Sequence, residues 1–213
     1  MLDYARAQAA TQQESQRVEF AVMDALRLLE FPNDSFDLVN ARLGWSYLRT
    51  WDWPKFLSEF QRVCRRGGVI RITECDIYES NSPALTRLSE MFLQALYQAR
   101  QFFKPNRRGV IDEIGPLLKR LGLQQVQTCV RTLHYRAGTP EGEHFADNVR
   151  LGYSTVVPFL RRWIRVPDDY EVIYKQMLHE VQQPDFVATW TMLTAWGEVT
   201  VKDGTPTPLS RDR

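Results

Sequence analysis

The chain has 213 residues, 44% of them hydrophobic, and a formal net charge of +1 from 27 basic and 26 acidic side chains. That is enough apolar residue for one core of ordinary domain size, and the balanced, intermixed charge gives no electrostatic case for a nucleic-acid or membrane surface. Three scattered cysteines without CxxC spacing, no apolar run of bilayer length and no signal peptide point to a reducing cytoplasm.

Strong helix formers fill residues 1–10. Val18, Phe20 and Val22 then alternate with polar or small neighbours, which predicts a strand over 18–23 ending on Asp24. The cluster Pro32-Asn33-Asp34-Ser35 predicts a turn, and the apolar run behind it a second strand over 36–40. Phe56, Leu57, Phe60, Val63 and Cys64 recur at helical spacing, so 54–65 reads as an amphipathic helix with Asp52 and Pro54 at its start. Arg62, Arg65 and Arg66 suit its negative end, and Gly67 the left-handed residue beyond it. A strand follows over 69–74.

Ser82 and Pro83 suit the start of a long helix over 82–103, striped by Leu85, Leu88, Phe92, Ala95, Leu96, Ala99 and Phe102. Residues 104–109 form a connector whose Arg107-Arg108 pair reads as solvated. A helix over 112–121 stops at Gly122, and a strand begins at Leu123 and runs to Val130 or Tyr135. Helices are expected over 143–159 and 168–181, punctuated by Pro158 and Pro167. Arg161, Arg162 and Arg165 interleave with Trp163 and Ile164, a pattern read as a solvated helix end in so neutral a chain. A last strand covers 187–196, and 203–213 reads as a frayed polar tail. Strand, strand, helix, glycine, strand is the order of a parallel α/β sheet.

Two stretches make the likeness specific: MDALRLLEFPNDSFDLVNAR, from Met23 to Arg42, and FLSEFQRVCRRGG, from Phe56 to Gly68, followed by the strand VIRITE. In order and spacing they resemble the middle of a class I S-adenosylmethionine-dependent methyltransferase, with Arg66-Gly67-Gly68 where the family has Pro-Gly-Gly. The likeness covers the first half of the chain well and the second half in outline. It implies an α/β, Rossmann-like methyltransferase sheet with an antiparallel last strand. The family's first two strands, with the Asp-x-Gly-x-Gly loop and the acid that holds the ribose hydroxyls, are missing before residue 18. Met1 is therefore expected to be an internal methionine of a longer protein. Strand 18–23 must then pair directly with 36–40 or leave backbone groups unpaired, at ~1–3 kcal/mol for each one that stays buried; a rearranged N-terminal region is expected. The open edge of that strand offers a place for a second chain. The whole reads as a single methyltransferase-like domain over 1–213, with 82–110 and 140–183 as candidate helical lid insertions.

The resemblance also assigns site residues, at the carboxyl ends of strands where open α/β sheets bind ligands. Asp24 would accept from the adenine amino group and the Ala25 N–H would reach the ring; the competing reading is a turn acid beside a small residue. Asn40, Ala41 and Arg42 would line the methionine end of S-adenosyl-L-methionine, although Arg42 reads equally as a solvated loop charge. On the acceptor side stand Tyr47, Glu74 and Asp76. The two acids read either as substrate contacts or as hydrogen-bonded strand-end carboxylates. Trp51 and Trp53 are expected in the core; the stripe of helix 82–103 reads as packing, with Tyr97 and Phe103 as the two positions from which substrate could be touched. No catalytic base is identified.

Other chemistries drop out. His134, His144 and His179 lack metal-ligand spacing. There is no Gly-x-Ser-x-Gly elbow, no P-loop, no Asn-Pro-Pro-aromatic run and no cysteine after a proline. Two functions stay open: methyl transfer from S-adenosyl-L-methionine to a small-molecule acceptor, or a methyltransferase-like protein that does not hold the cofactor by itself.

Overall fold

A computed structural model describes residues 2–200. The elements in chain order are α1 (Leu2–Thr11), β1 (Phe36–Arg42), a 3-10 turn (Gly44–Ser46), α2 (Trp53–Val63), β2 (Cys64–Cys75), the short β3 (Glu79–Ser80), α3 (Pro83–Gln98), α4 (Ile111–Arg120), β4 (Gln124–Arg136), α5 (Pro140–Thr155), α6 (Val157–Trp163), α7 (Tyr170–Glu180) and β5 (Val187–Glu198). This is a mixed α/β chain with an open sheet. The predicted tail over 203–213 lies outside the described residues.

β1 and β2 run parallel. β5 lies antiparallel between β2 on one side and β4 on the other, and β3 pairs with its first residues. The antiparallel last strand is thus as expected. α2 begins with Pro54 in its first turn and runs straight into β2. The chain turns there at Gly67, whose φ is +72°, the conformation glycine adopts at least cost. A register break between Phe36 and Leu38 accommodates this loop, and the Gly67 N–H donates to the Val199 carbonyl at 2.8 Å.

Alternation along the strands sends Ala41, Ile70, Ile72, Leu193 and Ala195 to one side, where they form a core with Trp53, Phe56, Leu57 and Phe60 of α2 and Ile114, Leu117 and Leu118 of α4. The opposite face, carrying Leu38, Asn40, Arg42, Val69, Arg71 and Thr73, lines an open hollow of about 770 Å³. A second core joins α3, α5, α6, α7 and the start of β5 through Leu85, Leu88, Phe145, Val149, Tyr153, Ile173, Met177 and Phe186. The Ser82 hydroxyl caps α3 by accepting from the Leu85 N–H at 3.0 Å and donates to Glu180 at 2.5 Å.

Several expectations are corrected. Residues 18–23 form no strand; Val18, Glu19, Ala21 and Val22 lie exposed, Val22 at 80%, while Phe20 and Met23 are partly buried. No described strand runs beside them to take their backbone hydrogen bonds. α3 stops at Gln98 because Arg100 turns left-handed, with φ +61°, and Phe102 enters the first core from the loop. The helix expected over 143–159 divides at Val156, just before Pro158, whose ring cannot continue the hydrogen-bond ladder. Trp53 is fully buried as expected, but Trp51 is 58% exposed, under the Arg49 guanidinium 5.4 Å from its ring. Arg107 is partly buried rather than free in solvent: it clamps residues 76–79, as described below, while Arg108 stays exposed.

Candidate active site

β1 and β2 end side by side, and the chain beyond each end builds one hollow. After Arg42, Leu43 turns left-handed (φ +56°) and opens the 3-10 turn. The Glu74 carboxylate lies beneath that turn, accepting from the Gly44 N–H at 2.6 Å and the Trp45 N–H at 3.3 Å. It is fully buried, and desolvation lifts its pKa to about 7 against the pull of those two N–H groups. A Cβ at Gly44 would stand 3.0 Å from Leu48, 3.1 Å from Trp53 and 3.2 Å from Glu74, so a larger residue there would have to displace those side chains. The Trp45 indole N–H donates to Cys75 Sγ at 3.3 Å, and its ring packs edge-on against Phe92 and Phe102. A buried carboxylate and a buried thiol thus fix where Trp45 stands.

Beyond Cys75, Asp76 continues the pairing with β5: its N–H donates to the Thr191 carbonyl and its Oδ1 accepts from the Thr191 N–H, both at 3.0 Å. The Asp76 carbonyl accepts from the Trp190 indole at 2.8 Å, and its Oδ2 pairs with Arg107 at 3.3 Å. Arg107 also donates to the Ile77 carbonyl at 2.8 Å and pairs with Glu79. Burial raises the Asp76 carboxyl pKa, opposed by the Thr191 N–H and by Arg107.

The hollow, about 390 Å³, has Asp76, Ile77 and Tyr78 on one side, Trp45, Phe92 and Trp190 around it, and Asn148, Val149, Gly152, Tyr153, Thr155 and Val156 of α5 and its end across it. Tyr78 donates to the Tyr153 hydroxyl at 2.7 Å, and Tyr153 lies 3.1 Å from the Ser89 hydroxyl. Desolvation holds both phenols protonated, lifting Tyr78 to about 12 and Tyr153 well above its ordinary value.

Of the residues expected on the acceptor side, only Asp76 lines this hollow. Glu74 sits behind it as a cap for the turn, and Tyr47 is half-exposed, with its ring edge-on to Phe56 at 6.4 Å. Tyr97 and Phe103 do not line it. On the cofactor side, Asp24 closes a turn by accepting from the Leu26 N–H at 2.9 Å and pairs with exposed Arg27 at 3.2 Å. Ala25 packs on the first core, which also contains Ala41. The Asn40 side chain accepts from Arg71 at 2.8 Å. The described hollows bring Asn40 and Arg42 together on the open sheet face, and none of them is lined by both Asp24 and Ala41. Sequence reasoning missed Tyr78, Phe92, Asn148, Tyr153 and Trp190. Only Tyr78, two residues past a strand-end acid, carried a signal. Among the described residues no group of three or more His, Cys, Asp or Glu could hold a metal, and no helix is long and apolar enough to cross a membrane.

The family model described as a methyltransferase domain matches residues 1–72. No curated protein matches. Among solved structures, the chain is similar to phosphoethanolamine N-methyltransferase 2 of Haemonchus contortus in complex with phosphomonomethylethanolamine and S-adenosylhomocysteine, at 18% identity and a TM-score of 0.46, over 93% of this chain and 41% of that one. It is similar to the YcgJ protein of Bacillus subtilis at 16% identity and a TM-score of 0.48, over 92% and 77%. A further match is the [4+2]-cyclase SpnF, at 16% identity and a TM-score of 0.45, over 92% and 61%. The chain spans about two fifths of the length of the Haemonchus enzyme. The methyltransferase-domain family model thus spans the stretch from Met23 to Gly68 on which the resemblance was read, and the match reaches about a third of the chain.

Proposed function

We propose that the protein transfers the methyl group of S-adenosyl-L-methionine to a small-molecule acceptor, in the cytoplasm. One observation carries this reading: two parallel strands, β1 and β2, open at their carboxyl ends onto a single walled hollow, and β1, with the start of β2, lies in the stretch that matches the methyltransferase family. The residues available for the cofactor are Asp24 and Ala25 on one side and Asn40, Ala41 and Arg42 on the other. Asp24 fits such a role because its Oδ2 is engaged only by an exposed arginine, a partner that a ligand donor can replace. Asp76, Trp45 and Tyr78 face the acceptor. Tyr47 and Glu74 act behind them, Glu74 by fixing the turn that carries Trp45.

In the reaction a lone pair on the acceptor forms a bond to the methyl carbon as the carbon–sulfur bond breaks. The sulfur would keep that bond's electron pair, making S-adenosylhomocysteine the leaving group, and the proton released from the methylated atom would pass to water. The protein contributes chiefly by holding the two reactants in line and apart from water. Calorimetric titration with S-adenosylhomocysteine tests the reading. Micromolar binding that weakens in Asp24→Ala supports it. A second reading, a methyltransferase-like protein that does not hold the cofactor, is favoured by the lack of a described hollow shared by Asp24 and Ala41, and no detectable binding would establish it.

A further inference from the structure

The walls of the hollow say what its occupant is. Five of its twelve lining residues carry rings: Trp45, Tyr78, Phe92, Tyr153 and Trp190. The one carboxylate among the lining residues, Asp76, is already neutralised by Arg107 and bound by the Thr191 N–H, so the hollow offers no free charge to an ionic ligand.

The hydroxyls carry a direction. Ser89 donates to the Leu85 carbonyl at 2.8 Å, an arrangement in which Tyr153 donates to Ser89 across their 3.1 Å contact. Tyr78 in turn donates to Tyr153. All three protons are spent along one chain, from Tyr78 to Tyr153 to Ser89 to Leu85. A phenol oxygen keeps acceptor capacity when its proton is committed. Any polar contact that Tyr78 makes with a ligand is therefore as acceptor, and it selects a ligand that donates.

We propose that this hollow takes an uncharged, ring-bearing acceptor carrying an O–H or N–H group, which Tyr78 accepts while the tryptophans stack on the ring. The proposal rests on the reading of this hollow as the acceptor side, but its chemistry is tested without the cofactor.

The probes are 2-naphthol, 2-methoxynaphthalene and 2-naphthoate, followed by calorimetry and by quenching of tryptophan fluorescence in the full chain. 2-Naphthol should bind, 2-naphthoate should not, and the methoxy analogue, which lacks the donor, should bind about fivefold more weakly. Tyr78→Phe should abolish the preference for naphthol over its methyl ether. Gly152 lies on the hollow, and a Cβ there meets nothing within 4 Å. Gly152→Leu should therefore occupy space without disturbing the helix and weaken naphthol at least about tenfold. Thr155→Trp, at the end of α5, repeats the test from a second position should the first variant fold poorly.

Naphthoate binding as well as naphthol, or naphthol binding unchanged in both filling variants, overturns the proposal. S-adenosylhomocysteine titrated into the same protein separates the two claims. Naphthol binding without it leaves the occupant's chemistry standing and removes the methyl transfer. Cofactor binding without naphthol does the reverse.

Discussion

Residues 36–200 and residues 2–35 are built on opposite terms. The first region buries two apolar clusters, one between sheet and helices and one among helices. The second has α1 with a single buried residue, Ala9, and a mostly exposed stretch over 18–23. What joins them is the packing of Ala25, Leu26 and Leu29 on the first core together with a set of hydrogen bonds: the Leu29 N–H donates to Glu59, the Arg62 guanidinium donates to the Leu29 and Phe31 carbonyls, and the Asp34 and Ser35 N–H groups donate to the end of α2. A β-type sequence pattern produces a strand only where a neighbour takes its backbone groups. Where none is present, the apolar alternation forms no strand.

The contrast can be broken or sharpened by substitution. Phe145 is buried, stacks on Tyr135 at 4.6 Å and meets Tyr78 edge-on at 5.1 Å. Phe145→Ala should lower stability by about 3–5 kcal/mol in chemical denaturation, and an effect below about 1 kcal/mol would mean that the second core is not packed as described.

Next in size is a pH effect seated under the first turn. The folded chain holds a proton on Glu74 up to about pH 7, whereas the unfolded chain releases it in the ordinary carboxylate range. Stability should therefore fall as pH rises between those limits, by on the order of 3 kcal/mol, and level off above the upper one. Asp76, also raised, adds in the same direction. Glu74→Gln should flatten the slope in denaturation midpoints taken from pH 5 to pH 8; an unchanged slope would locate the effect elsewhere.

Arg62→Ala should release the tether between the regions. Amide exchange over 25–34 is expected to rise while protection in β2 and β5 stays put; equal loss in both would show the regions to be one cooperative unit. The smallest effect belongs to the exposed stretch. Val22→Ala should shift stability by no more than about 0.5 kcal/mol, and a larger loss would show that residues 18–23 pack after all.

The same contrast explains what the sequence made legible. β1, α2, the Gly67 turn, β2, β4 and the reversed β5 were readable because their patterns are local and their neighbours are present. Residues 18–23 carried as clear an alternation but lacked a neighbour, and pattern alone cannot report that. Asp76 was placed by its position at a strand end. Glu74 was placed the same way, yet its carboxylate is spent on two N–H groups some thirty residues earlier. The Tyr78–Tyr153 pair spans 75 residues, and no periodicity connects them. Trp51 and Trp53 look alike in sequence and differ only in the side of the chain from which α2 starts.

The place of β5 has a consequence for how the molecule is made. It is the latest of the described strands, and both β2 and β4 depend on it for a shared neighbour. On the ribosome, neither the sheet nor the ring-lined hollow that includes Trp190 can close until Glu198 has emerged. Until then the nascent chain holds β2 with only β1 beside it, and β4 alone, which makes assembly a late, long-range event rather than a progressive one.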